Sequence, residues 1–228
     1  GLGALQAKAG IGLVGGDTSA TSGPIAITTT GLGLCSQGDA VLRRGALPGD
    51  TLMVSGTIGD GYLGLCLLRE PGLAERWRLS DEDIGFLIER YRRPQARSAL
   101  APSIRHFARA SIDISDGLVA DAAKLCRASG VAATIEATRV PVSPAAAKAV
   151  QASPELFKDM ISGGDDYEIL TAMEASHASA FAREAVEHGV PVTAIGSLQQ
   201  GAGKIDVLDT GGKPIPLDRP GFVHFKHD

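Results

Sequence analysis

Apolar residues along the chain follow two periodicities, and their alternation predicts most of its elements. Short runs of period two, or fully apolar, predict strands at 11–14, 24–30 (PIAITTT), 51–57 (TLMVSGT), 111–114, 131–136, 167–173 and 191–196. Between them the spacing turns helical. Ile84, Leu87, Ile88 and Tyr91 stand at i, i+3, i+4 and i+7, one buried stripe. Ser80 is placed to cap that helix, Asp81, Glu82 and Asp83 suit its first turn, and Pro94 stops it. Further helices are expected over 2–9, 62–68, 98–109, 117–128 and 176–188, the last ended by Gly189. Residues 141–159 read as proline-interrupted helix and loop, and 203–217 as a final hairpin turning at Gly211-Gly212. Several strand connections carry two helices. That pattern predicts an α/β fold of the α+β sandwich kind rather than a simple doubly wound sheet. A domain boundary is expected in the glycine-rich stretch after strand 24–30, dividing the chain into 1–36 and 37–228.

Composition narrows the function class. The 228 residues are 44% hydrophobic and 21% charged, ample for a sizeable core, and with 4% aromatics that core is aliphatic. A net charge of −4 and short Lys/Arg runs argue against a nucleic-acid binder. They do not argue against a phosphate ligand, because a metal can supply the positive charge. Cys35, Cys66 and Cys126 are odd in number and lack CxxC spacing, so neither a zinc site nor a disulfide framework is suggested. A cytoplasmic setting, with the cysteines as small core residues, is the expectation. No apolar run approaches the ~20 residues of a membrane span. Residues 1–9 read as the end of a helix inside a fold, so further sequence before Gly1 is expected.

Candidate chemistry lies at three strand ends, each offering carboxylates beside Gly or Ser: Gly15-Gly16-Asp17-Thr18, Asp113-Ile114-Ser115-Asp116-Gly117 and Gly163-Gly164-Asp165-Asp166. Hard oxygens at strand ends suit Mg²⁺, which takes one or two carboxylates plus substrate phosphates and keeps several waters. The competing explanation for the middle segment is that Ser115 or Asp116 simply caps the helix that follows. Asp113 is not explained by capping. Gly59-Asp60-Gly61 opens a helix but lacks the Lys-Ser/Thr of a P-loop, so a tight helix entry is its expected role. Arg92, Arg93 and Arg97 form a basic cluster, either a solvated helix end or a phosphate-facing patch. No G-x-S-x-G occurs. His106, His177 and His188 lie in helical segments as surface or core residues, and His224 in the tail is expected to be structural.

GGDT at 15–18, DISDGL at 113–118 and SGGDDYEIL at 162–170 resemble thiamine-monophosphate kinases of the AIR-synthetase-like (PurM-like) superfamily. The tail Gly221-Phe222-Val223-His224-Phe225 and Arg43 with Pro48-Gly49-Asp50 are similar to further segments of that family. The resemblance runs from about residue 10 to the end. It implies a PurM-like fold, with the last part of an N-terminal domain followed by a C-terminal αβ domain. It implies ATP- and Mg²⁺-dependent phosphorylation of thiamine monophosphate to the diphosphate, in a homodimer joined through the first domain's strands. Gly16, Asp17, Arg43 and Ser115 would contact ATP; Asp17, Asp113 and Asp116 would hold Mg²⁺; Asp165 and Phe222 would contact the thiamine substrate. Asp165 stands where the family often has Glu. The family's N-terminal segment, with further metal-binding aspartates and a substrate-binding His, has no match here. Two alternatives stay open: another PurM-like ATP-dependent enzyme of the AIR or selenophosphate synthetase type, and a non-catalytic Mg-nucleotide-binding fragment.

Overall fold

In the computed structural model, residues 2–217 and 221 are described. They divide into two compact units, Gly1–Ala40 and Val41–Asp228. The first carries helix α1 (Leu2–Ala9) and then irregular backbone. The strands expected at 11–14 and 24–30 do not form. A strand is held by its ladder partners, and among the described residues of this unit none pairs with either segment. Their apolar side chains, Ile11, Leu13, Val14, Ile25 and Ile27, are exposed.

The second unit is built on six strands: β1 (Thr51–Ser55), β2 (Ala110–Ile114), β3 (Val131–Glu136), β4 (Glu168–Met173), β5 (Val192–Gln200) and β6 (Ile205–Leu208). They form one sheet in the order β2-β4-β1-β5-β3-β6, antiparallel except for the β3–β6 pair. The expected final hairpin forms, in short form, beyond that pair. Residues 205–208 lie parallel to β3, and Leu208 bridges back to Pro214 across the turn at Gly212, with Asp209 N–H donating to the Lys213 carbonyl (2.9 Å) and Ile215 N–H to that of Val207 (2.7 Å). Composition favours a strand there but carries no information on its partner.

The two-residue period of β1 shows how the layers arise. Leu52 and Val54 face one side of the sheet, where they join Ile112, Ile114, Leu170 and helix α6 (Leu118–Ser129) in the main core. Met53 faces the other, packing with Met173 and Phe181 under helices α5 (Ala101–Phe107) and α9 (Ala178–Glu187). A separate apolar cluster joins α2 (Asp60–Arg69), α3 (Leu73–Arg76), α4 (Asp81–Arg92), α7 (Pro144–Ala152) and α8 (Leu156–Ser162). This is the α+β sandwich the double-helix connections predict. Gly64 lets α2 and α4 approach closely, since a Cβ there would run into the Leu87 carbonyl. At the start of α4 the Ser80 hydroxyl accepts from the Asp83 N–H (3.3 Å) and the Asp83 carboxylate accepts from the Ser80 N–H (2.9 Å), a full capping box. His106 and His177 pack edge-on against Phe107, a packing role. Cys126 is a core residue and Cys66 is half-buried, but Cys35 is exposed in the irregular first unit, against expectation.

Candidate active site

Two of the acidic seams meet. The 162–167 loop, leading into β4, lies against the end of β2: Asp165 N–H donates to the Ser115 carbonyl (3.0 Å) and Tyr167 N–H to that of Ile114 (2.8 Å). Its other side lies against the entry to α2. Glycines make the approach possible. A Cβ on Gly117 (φ +112°) would stand 2.6 Å from the Gly163 carbonyl oxygen, and one on Gly163 would stand 2.5 Å from the Tyr62 ring. A Cβ on Gly61 would strike the Asp165 carbonyl. Asp165 and Tyr167 both hold positive φ, +68° and +53°, unusual for residues with side chains. The Gly59-Asp60-Gly61 turn is therefore more than a helix entry: it is one wall of the slot that holds this loop.

Beside the loop opens a cavity of about 580 Å³ whose lining includes Tyr62, Tyr91, Tyr167, Ser115, Asp116 and Asp165. Burial pushes the Tyr62 and Tyr167 hydroxyls up, and Asp165 and Asp113 add to the rise at Tyr167. The Tyr167 hydroxyl donates to Asp165 (3.2 Å).

Ile114 is fully buried, as the strand period requires, and Asp113 is exposed on the opposite side of this edge strand. Ser115 and Asp116 are half-buried. Neither caps α6. Its N-cap is Gly117, with no side-chain cap bond, and Asp121 reaches back from inside the helix to the turn that precedes it. The buried Asp121 carboxylate accepts from the N–H groups of both Ser115 and Asp116, each at 2.9 Å. Its other oxygen accepts from Lys124 (2.6 Å), whose ammonium also pairs with Asp116. Asp121 escaped the sequence reading; an acid in the helix's first turn, six residues past Ser115, was the available signal.

Behind the loop lies a buried ionic network. Glu168 accepts from Ser55 (2.6 Å), Arg90 (2.9 Å) and Arg97 (2.7 Å). Arg97 is thus neither solvated nor phosphate-facing, and its pairing with Glu168 raises its pKa. Arg93 pairs with Glu89 on the surface. Asp60 is held by Thr57 and Ser143 (2.5 and 2.6 Å). Asp166 is fully buried, accepts from the Gly59 N–H (2.9 Å), and leaves Oδ2 without a partner. Burial pushes the Asp60 carboxyl up and that of Asp166 well up.

The other predicted residues are placed as follows. Gly16 and Asp17 lie in exposed irregular backbone of the first unit. Arg43 is exposed in the second unit, its carbonyl accepting from the Ser129 hydroxyl (3.3 Å). Phe222 and His224 lie outside the described residues. Among the described residues no three His, Cys, Asp or Glu side chains gather for a metal. The donors at the β2 end still fit magnesium. They are hard oxygens, few enough to leave room for waters and phosphate, and Asp116 already attracts one cation, the Lys124 ammonium.

Residues 48–208 match the family described as AIR synthase related protein, C-terminal domain, more than two-thirds of the chain and every strand of the sheet described above. The chain belongs to that family. The slot between α2, β2 and the 162–167 loop is thus this family member's candidate site. Among curated relatives, the thiamine-monophosphate kinase of Caulobacter vibrioides is 42% identical over 94% of this chain and 59% of its own length. The chain therefore spans less than two-thirds of that relative. Among solved structures, a thiamine-monophosphate kinase from Stenotrophomonas maltophilia K279a is 32% identical with a TM-score of 0.68, covering 78% of this chain and 55% of that one. AaThiL complexed with AMPPCP and TMP is 33% identical with a TM-score of 0.65, covering 81% and 54%. These likenesses carry the PurM-like fold assignment. Among the described residues no helix is long and apolar enough to cross a membrane.

Proposed function

We propose that this chain is the C-terminal part of a cytoplasmic thiamine-monophosphate kinase. The reaction is the Mg²⁺-dependent transfer of the ATP γ-phosphoryl group to thiamine monophosphate, giving the diphosphate. The observation that carries this reading is the meeting of the Asp113–Gly117 seam and the 162–167 loop beside one tyrosine-lined cavity, in a chain whose structural relatives include AaThiL complexed with AMPPCP and TMP. In this reading residues 1–36 are the remainder of an N-terminal domain, and the exposed apolar residues of 24–30 are covered in a homodimer.

The site suits an acceptor that needs no base. A phosphate monoester has a second pKa of ~6 and is already an anion at neutral pH. The difficulty is to bring two polyanions together and align them. Bound magnesium would supply the charge neutralisation that in-line transfer requires. Asp113 and Asp116 would hold it. Ser115, Arg43, Gly16 and Asp17 would contact the nucleotide, and Asp165 and Phe222 the thiamine moiety. The carboxylates act as ligands, which accounts for many acids and no histidine base.

The test is turnover by the full-length protein with ATP, Mg²⁺ and thiamine monophosphate, read as thiamine diphosphate by chromatography. Asp113→Asn should abolish turnover while the thermal melt is unchanged; retained turnover at saturating Mg²⁺ would sink the assignment. Turnover of an aminoimidazole precursor or selenide instead would reassign the substrate within the superfamily. ATP binding with no product would make the chain a nucleotide-binding module.

A further inference from the structure

The cation on Asp116 belongs to the protein itself. Lys124 stands one helical turn beyond Asp121, and its ammonium bridges two carboxylates. The two differ in kind. The Asp121 side chain is 1% exposed and fixed by the Ser115 and Asp116 N–H groups, so it is a buried carboxylate that needs a counter-charge. The Asp116 side chain is 22% exposed and lines the cavity. Lys124 therefore keeps a partner in Asp121 whether or not it touches Asp116. Its flexible stem lets the ammonium pivot without being stranded.

We propose that Lys124 is a tethered counter-cation that occupies Asp116 while no divalent ion is bound there and must withdraw toward Asp121 when one is, so that it lowers the metal affinity of the site. The inference rests on the reading of Asp116 as a magnesium ligand. Two charge effects act in the same direction. The Lys124–Asp116 contact has to be given up, and the ammonium retained by Asp121 stays close enough to repel a divalent cation. A nucleotide's phosphates reverse the second effect, because they welcome both positive charges. Lys124 would thus make metal binding favour the metal–nucleotide pair over the metal alone, a coupling that holds in both directions.

The readout is Mn²⁺ binding, followed by the electron paramagnetic resonance signal of free Mn²⁺, on the whole chain without nucleotide. Losing a partly exposed ion pair corresponds to roughly a fivefold change in an equilibrium constant. Lys124→Met should therefore bind Mn²⁺ about fivefold more tightly than the parent. Lys124→Arg, which keeps the charge, should match the parent. An unchanged or weakened affinity in the Lys124→Met variant overturns the proposal, because a residue that only holds Asp116 in place would weaken binding when removed. If circular dichroism shows that variant unfolded, Lys124→Gln carries the same expectation and the same refutation. Adding Asp116→Asn to both the parent and the Lys124→Met variant should abolish the difference between them. Should the parent bind Mn²⁺ and the Lys124→Met variant not tighten, the Lys124 inference fails alone. Should the parent bind none, the reading of Asp116 as a ligand fails with it.

Discussion

Replacing Glu168 by glutamine keeps the shape of that side chain and removes its charge from a fully buried position. Three residues far from it in sequence donate to the carboxylate: Ser55, Arg90 and Arg97. Both arginines are mostly buried, at 11% and 19% side-chain exposure, so neither has bulk water to fall back on. Breaking a buried pair by removing one partner costs about 3–5 kcal/mol. Arg90 retains a weaker contact with Asp60 at 3.8 Å and a bond to the Asp166 carbonyl at 3.4 Å, which places the loss near the lower end, about 3 kcal/mol. With an m-value of roughly 2 kcal/mol/M, the urea midpoint should fall by about 1.5 M. The assay is equilibrium urea unfolding followed by circular dichroism and by Trp77 fluorescence. Most of the cost is stranded guanidinium, so Arg97→Met combined with Glu168→Gln should lose less than the sum of the single variants. A loss under about 1 kcal/mol at unchanged m would refute the account of Glu168 as the anchor of this network.

Two further outcomes follow from other parts of the structure. Gly61→Ala puts a methyl group against the Asp165 carbonyl; overpacking of this kind costs about 1–3 kcal/mol, and in the full-length protein it should raise the KM for thiamine monophosphate more than that for ATP. Equal effects on both would detach the α2 entry from the substrate side. The Asp83 carboxyl is pulled down to about 2 by its hydrogen bonds with Lys148 and Ser80. A depressed folded pKa stabilises above the unfolded value and loses that contribution as pH falls through the folded one. Asp83→Asn should therefore cost about 1 kcal/mol at pH 6, since Lys148 is half exposed, and nearly nothing near pH 2. A deficit that persists at pH 2 would assign the effect to the capping geometry alone.

How much of this was legible in the sequence depended on how far apart the interacting residues lie. Ser80 and Asp83 are three residues apart, and their capping box could be written down from spacing. So could the strand that carries Asp113 and the helix that follows it. Arg97 was visible as a charge but not as a partner of Glu168, because that contact spans 71 residues. The meeting of the Ser115 and Asp165 backbones was likewise invisible, though the glycines at 117, 163 and 164 mark where chains approach. The alternation at 24–30 states which face of a strand would be buried. It cannot state what lies against it, and within the described first unit nothing does. Capping by Ser115 or Asp116 failed for a different reason: the N-cap position falls on Gly117, and Asp116 turns its carboxylate to Lys124.

That backward reach of Asp121 has a consequence for the order of assembly. The contacts from Asp121 to Ser115 and Asp116 span only six and five residues. They close almost no loop and can form as soon as α6 does. The seat of Glu168 needs Ser55, 113 residues away, and closes only when β1 and β4 pair. The turn between β2 and α6 is therefore local and early, and the Glu168 network is long-range and late. In pulse-labelling hydrogen exchange, protection at the 115 and 116 amides should precede protection at Ile169, whose N–H is held by Ser55 (2.9 Å). A nascent chain of this sequence would acquire its Ser115–Asp121 corner before the ionic network behind the 162–167 loop has closed.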